Sequence, residues 1–141
     1  MAFLLNGQNT KPSYVFGKVE LIDETKLPSN SIIDLELNSS LADGSIIATG
    51  KDSRAEIINK NGILRIGSLT VTKWVNENSI WMHSGSILYC SESRQSLSIS
   101  TTNAKANISG KGTIIIEATQ NGGFKFIPLE GKGTISTVCL L

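Results

Sequence analysis

Charge of either sign is scarce in this sequence, and the scarcity limits the partners that the chain can have. Charged residues make up 18% of the chain, against roughly 25% in a typical soluble domain. The 13 Lys and Arg residues nearly balance the 12 Asp and Glu residues. No basic excess exists for holding a phosphate backbone, and no acidic excess for solvating a disordered tail. We therefore expect no nucleic-acid partner.

Long apolar runs are also missing. No stretch approaches the roughly 20 consecutive apolar residues that a membrane-spanning helix needs. Residues 2–5, Ala-Phe-Leu-Leu, are too few to form the apolar centre of a signal peptide. The sequence thus predicts neither a membrane span nor a signal peptide.

Histidine and cysteine are too few for the commonest metal sites and nucleophile pairs. His83 is the only histidine, and Cys90 and Cys139 lie far apart along the chain. Such spacing does not match a zinc site, and a single histidine excludes most Ser-His and Cys-His pairs. The two cysteines leave three alternatives open: buried thiols, an internal disulfide, or cross-links between subunits.

Acidic side chains are the remaining candidates for catalysis, because a pair of carboxylates can hydrolyse a glycosidic bond. Six such side chains are available: Asp34, Glu36, Asp43, Asp52, Glu56 and Glu117. None of them falls in a recognisable catalytic segment, and acids on strand surfaces ordinarily serve solvation. We therefore expect no enzyme activity and no catalytic residue, and we expect neither a cofactor nor a metal ion.

What the sequence does contain is a rhythm of apolar residues with a period near two, which is the pattern of half-buried β-strands. Roughly a dozen short strands follow one another at close spacing without a linker, which predicts one all-β domain. A sandwich, a roll or a solenoid-like fold would fit. Residues 14–22 are predicted as the first strand, and residues 32–37 alternate so that Ile33, Leu35 and Leu37 share one face.

Glycine marks the predicted turns. Asn61-Gly62 lies between two apolar runs and predicts a tight hairpin, because both residues tolerate positive φ. Residues 110–112, Gly-Lys-Gly, are expected to break the chain before residues 113–118, whose continuous apolar run is typical of a strand buried on both faces. A separate last strand is expected over residues 133–140.

Four segments, in their order along the chain, resemble the FecR-like domain. Residues 50–56 resemble its G-x-x-S-R-A-E segment, residues 61–67 its D-G-x-x-x-R-L-G segment, and residues 82–88 its L-x-x-G-x-L segment. Residues 125–131 are similar to its V-L-E-G-x-V ending. The resemblance covers the chain from about residue 14 to residue 135.

The resemblance implies a β-rich, solenoid-like domain that lies outside the cytoplasmic membrane. In the best known relatives this domain follows a membrane helix and relays the state of a receptor to a sigma factor. Neither that helix nor a cytoplasmic helical segment is found here, so the chain is more similar to stand-alone, secreted versions. Residues 1–12 are then an N-terminal polar segment, and residues 13–141 are the FecR-like β domain.

Two classes of non-catalytic function follow from these expectations. The first is a self-associating structural domain, because long apolar strands have edges that another copy can cover. The second is a monomeric sensing domain that binds a protein or a carbohydrate. Trp74 and Trp81 are the candidate partner contacts, since tryptophan rings stack on sugars and anchor protein interfaces. We expect one of them to lie in the core and one on the surface.

Overall fold

A computed structural model describes residues 10–26, 28 and 31–137 of the chain. This part contains eleven β-strands, no α-helix, and thus no helix long and apolar enough to cross a membrane. Strands account for 65% of it. Their bounds are β1 Lys11–Phe16, β2 Val19–Ile22, β3 Ile32–Asp34, β4 Ser45–Thr49, β5 Arg54–Asn59, β6 Gly62–Ile66, β7 Val71–Asn76, β8 Ser79–Ser91, β9 Leu97–Ser100, β10 Ala104–Ala118 and β11 Phe124–Thr137.

All eleven strands belong to one curled sheet that forms a half-barrel. Its pairing defines two walls. The first wall consists of β1, β5 and β6 together with residues 86–91 of β8, 112–118 of β10 and 124–130 of β11. The second wall consists of β3, β2, β4, β7 and β9 together with the other halves of the same three long strands. Among the described strands, only the β8 and β9 pair is parallel.

The long strands change wall at glycines with positive φ, which residues with a Cβ rarely adopt. Gly85 in β8 has a φ of 101°, Gly110 in β10 has 78° and Gly131 in β11 has 90°. Beside Gly85, the buried Thr70 hydroxyl accepts a hydrogen bond from the Ser86 amide at 3.0 Å and also lies 3.2 Å from the Ser86 carbonyl oxygen. At this bend the Thr70 side chain thus bonds both backbone groups of Ser86.

The core lies between the walls and is filled by the inward residues of both. Alternation along each strand brings every second side chain to this side. The largest side chains with under 2% exposure come from seven strands of the two walls: Ile47, Ile57, Leu64, Ile66, Trp74, Ile80, Met82, Tyr89, Ile99, Ile108 and Ile116. Each Ile, Leu and Met side chain among them contributes about 1.5–3 kcal/mol through burial. The prediction of a single all-β domain is confirmed, and the curled sheet is closest to a roll.

Two predicted strands near the N-terminus were wrong in their extent. Residues 14–22 form two strands, because Gly17 has a φ of 77° and ends β1. β1 begins at Lys11, two residues before the predicted start of the domain. Residues 32–37 do not form one strand either: β3 ends at Asp34, and of the three residues expected on one face only Leu35 is buried.

Two predicted breaks near the C-terminus were also wrong. Residues 110–112 interrupt only the pairing register, and β10 continues through them for 15 residues. β11 likewise runs on through Gly131 and Gly133 for 14 residues, although its predicted end, residues 138–140, lies outside the described part. Glycine permitted a bend here without requiring a turn. Ile114 and Ile116 are buried but Ile115 is only half-buried, so residues 113–118 are not buried on both faces.

The predicted hairpin is confirmed, but its loop lies one residue earlier. Asn59 pairs with Gly62, so the loop is Lys60-Asn61, and neither residue has positive φ. The Asn59 side chain closes the turn by accepting hydrogen bonds from the amides of Asn61 and Gly62, at 2.8 and 3.0 Å. Glycine is needed at position 62 for a different reason: a Cβ there would collide with the Cys90 carbonyl oxygen.

We expect the substitution Gly85→Ala to destabilise the fold more than any other glycine-to-alanine change at a bend between the walls. A Cβ at this position would lie 2.5 Å from the Cα of Thr70, and Thr70 cannot move without breaking its bonds to Ser86. Backbone strain and overpacking together should lower the free energy of unfolding by about 2–5 kcal/mol, measurable by chemical denaturation.

Gly110→Ala is the matched control, because its φ is also positive but a Cβ there would have no atom within 4 Å. Its free energy of unfolding should fall only by the cost of backbone strain, about 1–2 kcal/mol. Equal losses for the two variants would contradict the steric explanation of the bend.

Candidate functional site

The outer face of the first wall carries a hollow of about 550 Å³, within the range of 300–1,000 Å³ that is usual for ligand sites. Because side chains alternate along each strand, this face is opposite the core. β1, β5, β6, β8 and β10 contribute the side chains that surround the hollow, which are Tyr14, Arg54, Glu56, Arg65, Ser86, Leu88, Ile115 and Glu117.

One row of residues across the sheet explains why a hollow exists at this place. Arg54, Gly67, Ser86 and Glu117 follow one another on β5, the end of β6, β8 and β10. The Gly67 amide donates to the Ser86 carbonyl at 2.9 Å, which fixes this register. The two middle residues are small, while the outer two are long and oppositely charged. The floor therefore lies low between an arginine and a glutamate.

A second row closes one side of the hollow. It contains Tyr14, Glu56, Arg65, Leu88 and Ile115, again on neighbouring strands. The Glu56 carboxylate accepts from Arg65 Nε at 2.9 Å through one oxygen and from the Ser13 hydroxyl at 2.9 Å through the other. Arg65 and Glu56 thus neutralise each other. The part of the row nearest β10, Leu88 and Ile115, is apolar.

The two charges at the ends of the first row are not neutralised in this way. The Arg54 guanidinium lies 5.5 Å from the centroid of the Phe16 ring, a cation–π distance. Within the part of the chain that the structure describes, neither Arg54 nor Glu117 forms a salt bridge. Lys125 lies opposite Glu117 in the register of β10 and β11, but it forms no salt bridge with Glu117 among the described residues and does not line the hollow. The hollow thus has one positive and one negative side.

The second candidate surface is the outer edge of β11. Among the described residues β11 has one neighbour, β10, although it is 14 residues long. All residues from Pro128 to Thr137 are exposed, and Leu129 and Ile135 are the large apolar ones, with 58% and 45% exposure. A strand edge of this length presents backbone donors and acceptors that another strand can pair with.

The structure separates the two tryptophans that the sequence analysis considered together. Trp74 is 1% exposed and lies in the core, where its Nε1 has no hydrogen-bond partner among the described residues. It cannot contact a partner in this structure. Trp81 is half-buried on the outer face of the second wall, with its ring centroid 5.8 Å from that of the exposed His83. Only Trp81 stays a candidate partner contact.

The cysteines are only partly accounted for. Cys90 lies half-buried on the outer face of the first wall, and its Sγ is 3.3 Å from the Thr113 hydroxyl. Cys139 lies outside the described residues, so the alternatives of buried thiols, disulfide and cross-link stay predictions. Within the described residues, no three His, Cys, Asp or Glu side chains are grouped so that they could hold a metal ion.

No family model, no curated protein and no solved structure matches the chain. The resemblance to the FecR-like domain therefore stays a prediction. The hollow and the free edge of β11 have no signal in the local sequence. The hollow depends on the cross-strand register that places Gly67 beside Ser86, and the free edge depends on the position of β11 at the end of the sheet.

One titratable group on the first wall gives the fold a measurable pH dependence. Burial raises the pKa of Tyr89 to about 12, with a smaller contribution from the neighbouring Cys90. Because the pKa is higher in the folded than in the unfolded chain, stability is complete below about pH 10 and is lost as the pH rises toward 12. The loss from this group should be about 2–3 kcal/mol.

We expect Tyr89→Phe to remove this alkaline loss. The difference in unfolding free energy between the variant and the natural chain should change between pH 10 and 12, in favour of the variant. Tyr14→Phe is the control, because Tyr14 is 45% exposed. Identical alkaline slopes for Tyr89→Phe and the natural chain would contradict the assignment.

Proposed function

We propose that the chain is a non-catalytic β domain that associates with other copies of itself through the last five residues of β11, residues 133–137. The exposed edge of β11 is the single observation that carries this proposal. Five residues are the usual length of a strand, and pairing them with a second copy would continue the sheet from one molecule into the next.

The sequence of β11 favours pairing in the last five residues of the strand and opposes it in the first nine. Residues 124–132 contain Lys125, Pro128 and Lys132, and lysine and proline are the residues that natural proteins place on edges to prevent pairing. Residues 133–137, Gly-Thr-Ile-Ser-Thr, contain neither. Their one large apolar side chain, Ile135, is exposed on the side of the core, where a second copy could cover it.

The other two edges are less suited to pairing. The carbonyls of Thr10 and Pro12, at the start of β1, accept hydrogen bonds from the amides of Leu41 and Asn38, both at 2.9 Å. The edge of β1 is thus partly covered by the chain itself. β3 is only three residues long, too short to hold a second copy through backbone bonds alone.

The most economical arrangement is a two-fold symmetric pair in which the two β11 strands run antiparallel, because closed two-fold dimers are the commonest oligomers. If the axis passes near Ile135, residues 133–137 of each copy face those of the other. Such an interface is small, and we expect it to form at high protein concentration.

We further propose, on the resemblance to stand-alone FecR-like domains, that this association takes place outside the cytoplasmic membrane of a bacterium. The alternative function is a monomeric sensing or relay domain that binds a protein or a carbohydrate. The half-buried Trp81 beside His83 favours it, because adjacent rings on a sheet face form a stacking surface.

Light scattering across a range of protein concentrations distinguishes the two functions. For self-association the mass should rise from 15.1 kDa toward that of a dimer. Ile135→Lys should hold the chain at the monomer mass, because the two-fold axis would place two lysines opposite each other in the paired strands.

The matched control is Ile32→Lys, which makes the same chemical change at the 53% exposed residue of β3. It should associate like the natural chain. A constant monomer mass for the natural chain would exclude the proposal and leave the monomeric binding domain. Association that survives Ile135→Lys, or that is lost only in Ile32→Lys, would exclude β11 as the interface.

A further inference from the structure

We infer that the hollow on the first wall binds a short zwitterionic peptide, with its carboxylate at Arg54, its apolar side chains on Leu88 and Ile115, and its ammonium group at Glu117. This site does not depend on self-association. It lies on the first wall, whereas residues 133–137 belong to the second.

The charge of the hollow is the first argument for this ligand. Arg54 makes no ion pair within the described residues, and its guanidinium can hold a carboxylate through two parallel hydrogen bonds. Arg65, the other arginine of the hollow, already binds Glu56. Glu117 on the far side is likewise without an ion pair. A ligand with only one charge would leave either Arg54 or Glu117 without an ion-pair partner.

The dimensions of the hollow are the second argument. From β5 across β6 and β8 to β10 there are three strand spacings, which place the Cα atoms of Arg54 and Glu117 about 14 Å apart. An extended tripeptide is about 10 Å long, and the two side chains span the remainder. A single amino acid would be too short to reach both groups.

The floor and the apolar side of the hollow are the third argument. Gly67 and Ser86 bring the floor close to the backbone, and no hydrogen bond of the Ser86 hydroxyl is seen within the described part of the chain. That hydroxyl can therefore bond a peptide amide or carbonyl group. Leu88 and Ile115 are half-buried on this outer face, so apolar side chains of a ligand would remove their remaining surface from water.

Trileucine is a suitable probe, with trileucine amide and N-acetyl-trileucine as partners that each lack one charge. Calorimetric titration of the natural chain should give a dissociation constant for trileucine of about 1 mM or lower. The amide and the N-acetyl peptide should each bind about three- to tenfold more weakly. No saturable binding of trileucine, or equal affinity for the three peptides, would overturn the inference.

Two variants assign each charge to its residue. Arg54→Gln should weaken trileucine binding and make the acid and the amide bind alike, while keeping the preference for a free amino group. Glu117→Gln should do the converse. Arg94→Gln and Glu92→Gln, at exposed residues that do not line the hollow, are the matched controls and should bind like the natural chain. An acid-to-amide ratio that is unchanged in Arg54→Gln would exclude the proposed orientation.

A third variant tests the place of binding. Ser86→Leu should fill the hollow from its floor and abolish trileucine binding, and a far-ultraviolet spectrum would verify that the sheet is intact. Ile135→Lys should bind trileucine normally even if it remains monomeric. Binding that survives Ser86→Leu in a folded chain would show that the peptide sits elsewhere.

Discussion

The fold depends on three long strands, β8, β10 and β11, that pass from one wall to the other. Each of them bends at a glycine and stays hydrogen-bonded to its neighbours on both sides of the bend. Gly85 shows how this is achieved: the strand turns through a positive φ, and the space where a Cβ would lie is occupied by Thr70. Thr70 in turn bonds the backbone of Ser86. Without these bends the two walls would be one open sheet, with an apolar face too large to leave in water.

Much of the architecture could be predicted from the period of the apolar residues. The all-β class, the single domain and the hairpin between β5 and β6 all follow from local sequence, because each concerns neighbours along one or two strands. The continuity of β10 and β11 could not be predicted in this way. A glycine between two apolar runs fits a turn and a bend equally well, and only the partner strand decides.

The two candidate surfaces were missed for a similar reason. Gly67 and Ser86 are unremarkable in the sequence and gain a role only when β6 and β8 place them side by side. Trp81 was recognised because tryptophan is conspicuous in any sequence. Arg54 and Glu117, by contrast, are separated by many residues along the chain and come to face the same hollow only through the pairing of β5, β6, β8 and β10. A site whose residues are brought together by strand pairing has no motif in the local sequence from which it could be predicted.

The hydrogen bonds below the hollow have a consequence for its rigidity. The Thr70 hydroxyl bonds the Ser86 amide, and the Thr70 amide donates to the Thr49 hydroxyl, which itself donates to the Gly67 carbonyl at 2.6 Å. Both floor residues are thus anchored from beneath through buried threonines. The base of the hollow is preorganised, so the entropic cost of filling it would fall almost entirely on the long side chains at its rim.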